Sequence, residues 1–276
     1  MGLLLGVIAA IGFGASDVFA NVASRSQPSI AVTRTALLVA LVFTPLFLVL
    51  KPFHLTNTDV AYAVLSGILI GSSLLCLYVA YSKASIGIVA PVASVLMAVV
   101  PLAVDLIRGK DLSVVGASGA VLGIAAVAFS TYHPGGRGNM RVGLTFGILA
   151  GVGIGMSFTL LDLTADTAGL APVPIQRLSG LVFLTLAAPF VKAPWIITTR
   201  PARLPAIATG LIAGLGMGAL QLGYRYGSAG PVSVAASQFA AAAVLISAFV
   251  NRERLRWWQL TGLVMASVGV GLMALG

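Results

Sequence analysis

The residues able to do chemistry in this chain are few, and most of them sit inside apolar stretches. Asp17 lies well within the first hydrophobic run, with Asn21 one helical turn further along the same face. An ionisable side chain at membrane depth is costly, and such residues face a cavity or a partner. Asp17 therefore reads either as a functional carboxylate or as a structural one paired with an arginine. Arg34 and Arg177 hold equivalent places at the start of the second run of each half of the chain. Each follows acid or amide groups near the end of the preceding run: Asp17 and Asn21 in one half, Asp162 and Asp166 in the other. They read as a repeated structural ion pair or as contacts for an anionic substrate group. Tyr78 and Gln221 are matched between the halves, as are Tyr81 and Tyr224, and the i, i+3 spacing lets both members share one helix face. Tyr78 and Gln221 are expected in a central pocket, whereas Tyr81 and Tyr224, near span ends, are expected in an interfacial aromatic belt. Ser94, Ser237 and Gln238 add polar groups to the fourth and ninth runs, either as pocket lining or as interhelical hydrogen bonds.

Catalytic chemistry is poorly provided for. The two histidines, His54 and His133, fall at span ends or in loops, and no HExxH, GxSxG or GxxxxGK[ST] pattern occurs. The single cysteine, Cys76, excludes an intramolecular disulfide and a cysteine-based metal site, and reads as small packing material. No catalytic residue, metal or cofactor is expected.

Composition says what must position these groups. Hydrophobic residues make up 59% of the chain and charged residues 8%, with a mean hydropathy of +1.05. A soluble domain carries about 25% charged residues, so lipid is the solvent for most of this one. A spanning helix needs about 20 mostly apolar residues. Ten stretches qualify: Leu3–Val22, Ile30–Leu50, Val60–Tyr81, Ile86–Ile107, Leu112–Tyr132, Val142–Leu161, Pro172–Val191, Leu204–Tyr224, Ala229–Val250 and Leu255–Leu275. The connections leave no room for a soluble domain, and the runs do not alternate with period two, so helices and not a barrel are expected. The first run lacks a basic leader and contains Asp17, so it reads as part of the mature fold and not as a cleavable signal. Gly6 stands where N-myristoylation wants Ser or Thr.

The net charge is +9. The bases are scattered over short loops without interleaved aromatics, which argues against a nucleic-acid partner and for topology signals and headgroup contacts. Loops after odd-numbered spans carry ten bases, Arg25, Lys83, Arg137, Arg141, Lys192, Arg200, Arg203, Arg252, Arg254 and Arg256, whereas those after even-numbered spans carry four, Lys51, Arg108, Lys110 and Arg225. The positive-inside rule then expects the odd loops in the cytoplasm and both termini outside, in a plasma (inner) membrane.

The chain also repeats itself. Gly2–Ser16 aligns with Gly143–Ser157 without a gap, pairing Gly2/Gly143, Leu3/Leu144, Gly6/Gly147, Ala9/Ala150, Gly12/Gly153, Gly14/Gly155 and Ser16/Ser157. A second stretch pairs Tyr81/Tyr224, Ser85/Ser228, Gly87/Gly230, Val89/Val232, Ala93/Ala236, Ser94/Ser237, Leu112/Leu255 and Gly119/Gly262. Two tandem halves of apolar helices are the usual build of a secondary transporter, with its site between them. Five spans per half is an odd number, so the second half runs upside down relative to the first. The expected fold is an all-α integral membrane protein with ten transmembrane helices in two inverted five-helix repeats, residues 1–132 and 142–276, joined by a linker at 133–141. Gly143, Gly147, Gly151 and Gly155, like Gly210, Gly214 and Gly218, form small-residue stripes for close helix packing. Pro45, Pro91, Pro101 and Pro189 lie within spans and are expected to bend them.

This pattern resembles the EamA-type transporters of the drug/metabolite transporter superfamily. The local match is strongest where Tyr224, Gly230 and Pro231 lead into an apolar span followed by Arg252-Glu253-Arg254-Leu255, then Gln259 and Gly262, similar to that family's Glu-Arg turn before its last helix. The first half has Gly109-Lys110-Asp111-Leu112 and Gly119, with the acid displaced by one position. The resemblance covers essentially the whole chain. It implies export or exchange of a small metabolite by alternating access, without ATP hydrolysis, through a cavity lined by the first, third, fourth, sixth, eighth and ninth spans. Asn21, Tyr78, Ser94, Gln221, Ser237 and Gln238 are the substrate-binding candidates there. A related branch, the small multidrug resistance transporters, carries an acid in its first helix for proton coupling. Asp17 resembles it in general position, while its repeat mate is Phe158. The implied partners are a small molecule and the bilayer, with the chain a monomer or a homodimer. A passive channel, a small-molecule-binding membrane protein and a membrane-embedded enzyme are the alternatives.

Overall fold

Long apolar runs in lipid must satisfy every backbone group internally, and the chain does so by folding almost entirely into helices. The computed structural model describes residues 1–84, 86–109, 113–131, 139–191, 197, 199–251 and 257–275. The helices are α1 (Gly2–Ser26), α2 (Ser29–Ala40), α3 (Thr44–Leu50), α4 (Asn57–Lys83), α5 (Ile86–Ile107), α6 (Val114–Thr131), α7 (Met140–Asp162), α8 (Pro172–Ala187), α9 (Arg200–Arg225), α10 (Ala229–Ser237), α11 (Phe239–Asn251) and α12 (Trp257–Leu275). Among the described residues, six segments are long and apolar enough to cross a bilayer: Gly2–Ser26, Ser29–Leu50, Asn57–Lys83, Arg141–Asp162, Pro172–Phe190 and Arg200–Arg225. The chain is therefore a multi-pass integral membrane protein. Helix is found within each of the ten apolar runs. The Arg252–Leu255 and Lys110–Leu112 turns, and residues 133–138 of the expected linker, lie outside the described residues.

Proline marks some of the bends. The second run breaks into α2 and α3 around a 3-10 turn, Leu41–Phe43, just before Pro45, and α8 passes into a 3-10 turn, Ala188–Val191, that holds Pro189. By contrast, α5 is a single helix that runs through Pro91 and Pro101. The ninth run breaks without proline: Gln238 separates α10 from α11, and its N–H bonds back to the Ala235 and Ala236 carbonyls.

Glycine lets the helices touch backbone to backbone. A Cβ at Gly14 on α1 would stand 2.6 Å from the Phe239 carbonyl of α11, and one at Gly155 on α7 would stand 3.2 Å from the Leu96 carbonyl of α5. A Cβ at Gly6 would meet the Val232 carbonyl at 2.7 Å, and one at Gly147 the Val89 carbonyl at 3.5 Å. At Gly210 a Cβ would meet the Ala36 carbonyl at 2.5 Å, whereas at Gly67 it would run into the Ser179 hydroxyl and the Gln176 carbonyl. Beside Gly67, a buried polar knot joins three helices. Ser66 and Ser157 exchange hydroxyl contacts at 2.7 Å, and the Gln176 amide donates to both, at 2.8 and 3.0 Å.

Helix directions follow from contacts at the ends. Gly2, at the start of α1, lies against Gly223 and Gly227 at the end of α9. Arg225, also at that end, reaches Thr164 just beyond α7. The start of α7 lies at the opposite face, where the Asn139 N–H donates to the Lys83 carbonyl at 3.1 Å. Helices α1 and α7 thus run in opposite directions.

A methyl at Gly67 has no free space, so Gly67→Ala is expected to cost about 1–3 kcal/mol, as overpacking usually does. The readout is a lower unfolding midpoint of the purified chain in detergent. Gly271→Ala is the control, since nothing stands within 4 Å of its Cβ position, and it should leave the midpoint unchanged. Equal midpoints for the two variants would contradict the packing described.

Candidate functional site

A cavity of about 50 Å³ lies at the centre of the bundle. This is room for a few waters, since one water needs about 10–15 Å³ by this measure. Its walls come from α1, α4, α5, α7, α9 and α11, and also from α2 and α8. Matched residues of the two halves face each other across it: Ile70 with Ala213, Leu74 with Met217, and Phe13 with Ile154. Phe13 and Phe158 stack at 6.1 Å between ring centres. Most of the lining is apolar; Ser16, Asp17, Tyr78 and Arg177 are the polar side chains.

Those groups are distributed with some care. Asp17 is only 5% exposed and accepts a hydrogen bond from the Tyr81 hydroxyl at 2.8 Å. Tyr81 stacks on Tyr78, ring centres 6.3 Å apart. Tyr78 lines the cavity together with Asp17 and Arg177 and lies within electrostatic reach of both. Arg177 is 4% exposed, and its Nε has no hydrogen-bond partner. The expected ion pair of Arg177 with Asp162 or Asp166 does not form. Arg108 takes Asp162 at 3.6 Å and Arg225 takes Asp166 at 3.3 Å. The reason is connectivity: α9 ends beside the turn that follows α7, whereas Arg177 has already entered the bundle on α8.

The belt assignment of Tyr81 and Tyr224 is overturned. Both rings are buried; Tyr81 serves Asp17, and the Tyr224 hydroxyl contacts Ser233 at 2.9 Å. Nearness to a span end cannot tell an inward ring from an outward one. The i, i+3 relation of Tyr81 to Tyr78 was the signal that linked it to the pocket.

The other candidates lie apart from the cavity lining. Asn21 accepts from Arg25 at 2.9 Å, and Arg34 is half-buried. Gln221 is fully buried and its amide approaches the Thr164 hydroxyl at 3.5 Å. The Ser94 hydroxyl is buried without a partner. Ser237 donates to the Val234 carbonyl at 2.8 Å, and Gln238 donates to the Gly123 carbonyl of α6 at 3.2 Å.

Sequence reasoning missed a second polar centre. An open basin of about 500 Å³ at one end of the bundle is lined by residues that include Arg108, Asp162, Thr164 and Asp166. The Arg225 guanidinium, itself buried, donates to the Thr164 carbonyl at 2.7 Å and to its hydroxyl at 2.6 Å. Asp59 caps α4 and accepts from the Ala165 N–H at 2.7 Å, while Asp105 accepts from the Gly230 N–H at 2.6 Å. These contacts bind the ends of α4, α5, α7, α9 and α10 together on one face.

Residues 1–132 match the EamA-like transporter family. A solved structure described only as "Crystal structure of protein" superposes with a TM-score of 0.77 at 14% identity, over 99% of this chain and 96% of that one. At that identity the likeness is one of fold. No curated protein matches the chain. The family that residues 1–132 match is one of transporters.

Removing the donor to Asp17 leaves a buried acceptor unsatisfied, so Tyr81→Phe is expected to cost about 1–3 kcal/mol. In a double-mutant cycle with Asp17→Ala, which removes the acceptor, the second substitution should cost less than it does alone, because the two share one bond. Strict additivity of the unfolding free energies would show that the Tyr81–Asp17 contact carries no weight.

Proposed function

We propose that this chain, whose residues 1–132 match the EamA-like transporter family, is a secondary transporter that exports or exchanges a small metabolite by alternating access. In this reading ten segments cross the plasma (inner) membrane as two inverted five-helix halves, residues 1–132 and 142–276, with 133–141 as linker. The observation that carries it is the central cavity, walled by matched residues from both halves and holding a buried carboxylate.

The packing supports the inversion. Contacts come in mated pairs with the halves exchanged: Gly14 on Phe239 beside Gly155 on Leu96, and Gly67 on Ser179 beside Gly210 on Ala36. The Ser66–Ser157 contact between α4 and α7 has its counterpart where Thr209 of α9 donates to the Ser16 carbonyl of α1 at 3.3 Å. Opposite directions of α1 and α7 are what an inverted repeat requires, and such a repeat lets one site face either side in turn.

Asp17 is the proposed proton carrier. A carboxylate in an apolar wall that is reached by one tyrosine hydroxyl changes charge when it takes a proton. That change alters which state of the transporter the site favours. Asn21, Ser94, Gln221, Ser237 and Gln238 remain proposed substrate contacts for conformations in which the cavity opens toward them.

Two outcomes test this. Proteoliposomes loaded with a mixture of common metabolites, given a proton gradient, should lose at least one component through the wild-type chain. Asp17→Asn should abolish that gradient-driven efflux while equilibrium exchange persists. Gradient-independent leakage through both proteins would make the chain a channel. The Lys83, Arg141, Arg200 and Arg203 face is the basic one, whereas Asp59, Asp105, Asp162 and Asp166 gather at the other. A cytoplasm-active reporter fused after Gly276 should therefore be silent, and strong activity would reverse the orientation.

A further inference from the structure

Arg177 is a charge with no stated use. It is buried, it lines the cavity, and its Nε has no hydrogen-bond partner. A buried cation without a partner is strongly destabilising, and the cheap solution, a pair with the nearby Asp162 or Asp166, is not taken because Arg108 and Arg225 hold those acids. What remains beside Arg177 is the cavity. A guanidinium is planar, and its N–H groups match a carboxylate in fork geometry. The surrounding wall is apolar, from Leu37, Leu74, Leu77 and Phe158. Asp17 lines the same cavity and, when ionised, repels a second negative charge in this low-dielectric space.

We propose that Arg177 anchors a carboxylate, and that the cavity takes organic monoanions with a compact apolar body. This names the cargo class and so rests on the transporter reading, but the binding step stands by itself. The carboxylate seats on Arg177, and the apolar body fills the space toward Phe13 and Phe158. Dicarboxylates are disfavoured because their second charge would face Asp17.

The test uses the full chain in nanodiscs at low salt, with thermal unfolding as readout. The probes are benzoate, phenylacetate and isovalerate, each against its neutral amide, with succinate and sodium chloride as further ligands. At least one monocarboxylate should raise the unfolding midpoint in proportion to concentration, and its amide should not. Arg177→Met should weaken that response at least tenfold, and Arg177→Lys should retain part of it. Should Arg177→Met fail to fold, Asp17→Asn gives an independent reading, in which succinate should bind at least tenfold tighter than to wild type. The proposal is overturned by amides that bind as well as acids, by chloride that reproduces the full effect, by no response to any monocarboxylate, or by succinate binding that Asp17→Asn leaves unchanged. Counterflow in vesicles separates the two readings. Binding through Arg177 without counterflow keeps the subsite and removes the transport reading. Metabolite counterflow that no monocarboxylate inhibits keeps transport and removes the subsite.

Discussion

How closely α1 and α7 approach their neighbours sets the rest of the structure. In lipid there is no hydrophobic force between helices, so association relies on van der Waals packing and interhelical hydrogen bonds. Both helices meet that demand with glycine: Gly6 and Gly14 bring α1 onto α10 and α11, and Gly147, Gly151 and Gly155 bring α7 onto α5. Another edge of each helix is also narrow, with Gly12 against Gly216 of α9 and Gly153 against Ser73 of α4. Phe13, Ile154 and Phe158 of these two helices wall the cavity, while Leu4, Ile8 and Ile11 of α1 and Ile148 and Leu149 of α7 face outward. The size of that cavity is therefore a consequence of contacts made elsewhere.

The polar groups fall into three sets with different mechanical meaning. The Ser66–Ser157–Gln176 knot is buried among α4, α7 and α8 and is satisfied apart from one Gln176 oxygen. It holds those helices as a unit. The contacts of Arg225, Asp59 and Asp105 lie at one end of the bundle, several of them to backbone atoms of turns and helix starts. In the proposed alternating-access cycle, these are the ends that separate when the cavity opens on that side. In between, Asp17 and Arg177 face open space and each has little or no bonding to protein. This last set lines the cavity and is placed to answer to a ligand or a proton there.

The break at Gln238 fits the same division. Its mated helix, α5, is continuous, while α10 and α11 part beside Phe239, which lines the cavity. The Gln238 side chain bonds to α6 and not to the cavity. A discontinuous helix at the site gives a transporter an element that can bend without unpacking its neighbours.

Much of the architecture was legible in the residues. Apolar runs longer than the bilayer core, separated by charged turns, can be little else than helices in lipid, and the glycine spacing of Gly2–Ser16 and Gly143–Ser157 announces two similar helices with narrow faces. Asp17 and Tyr78 stood out because lipid penalises polar groups, and both line the cavity. Partners were not legible. Whether Arg177 meets Asp162 or a cavity depends on where α5 ends relative to the end of α7, since Arg108 takes that acid. Whether Tyr81 faces lipid or Asp17 depends on how α4 is rotated about its axis. Periodicity marks a helix face, but in a chain that is apolar all round it does not say which face turns inward. The sequence by itself determined the helices, their membrane setting and the polar groups that need an explanation. Only the tertiary structure decided which of those groups satisfy one another and which, like Arg177, are left facing a cavity, because that depends on contacts between residues far apart in the chain, on different helices.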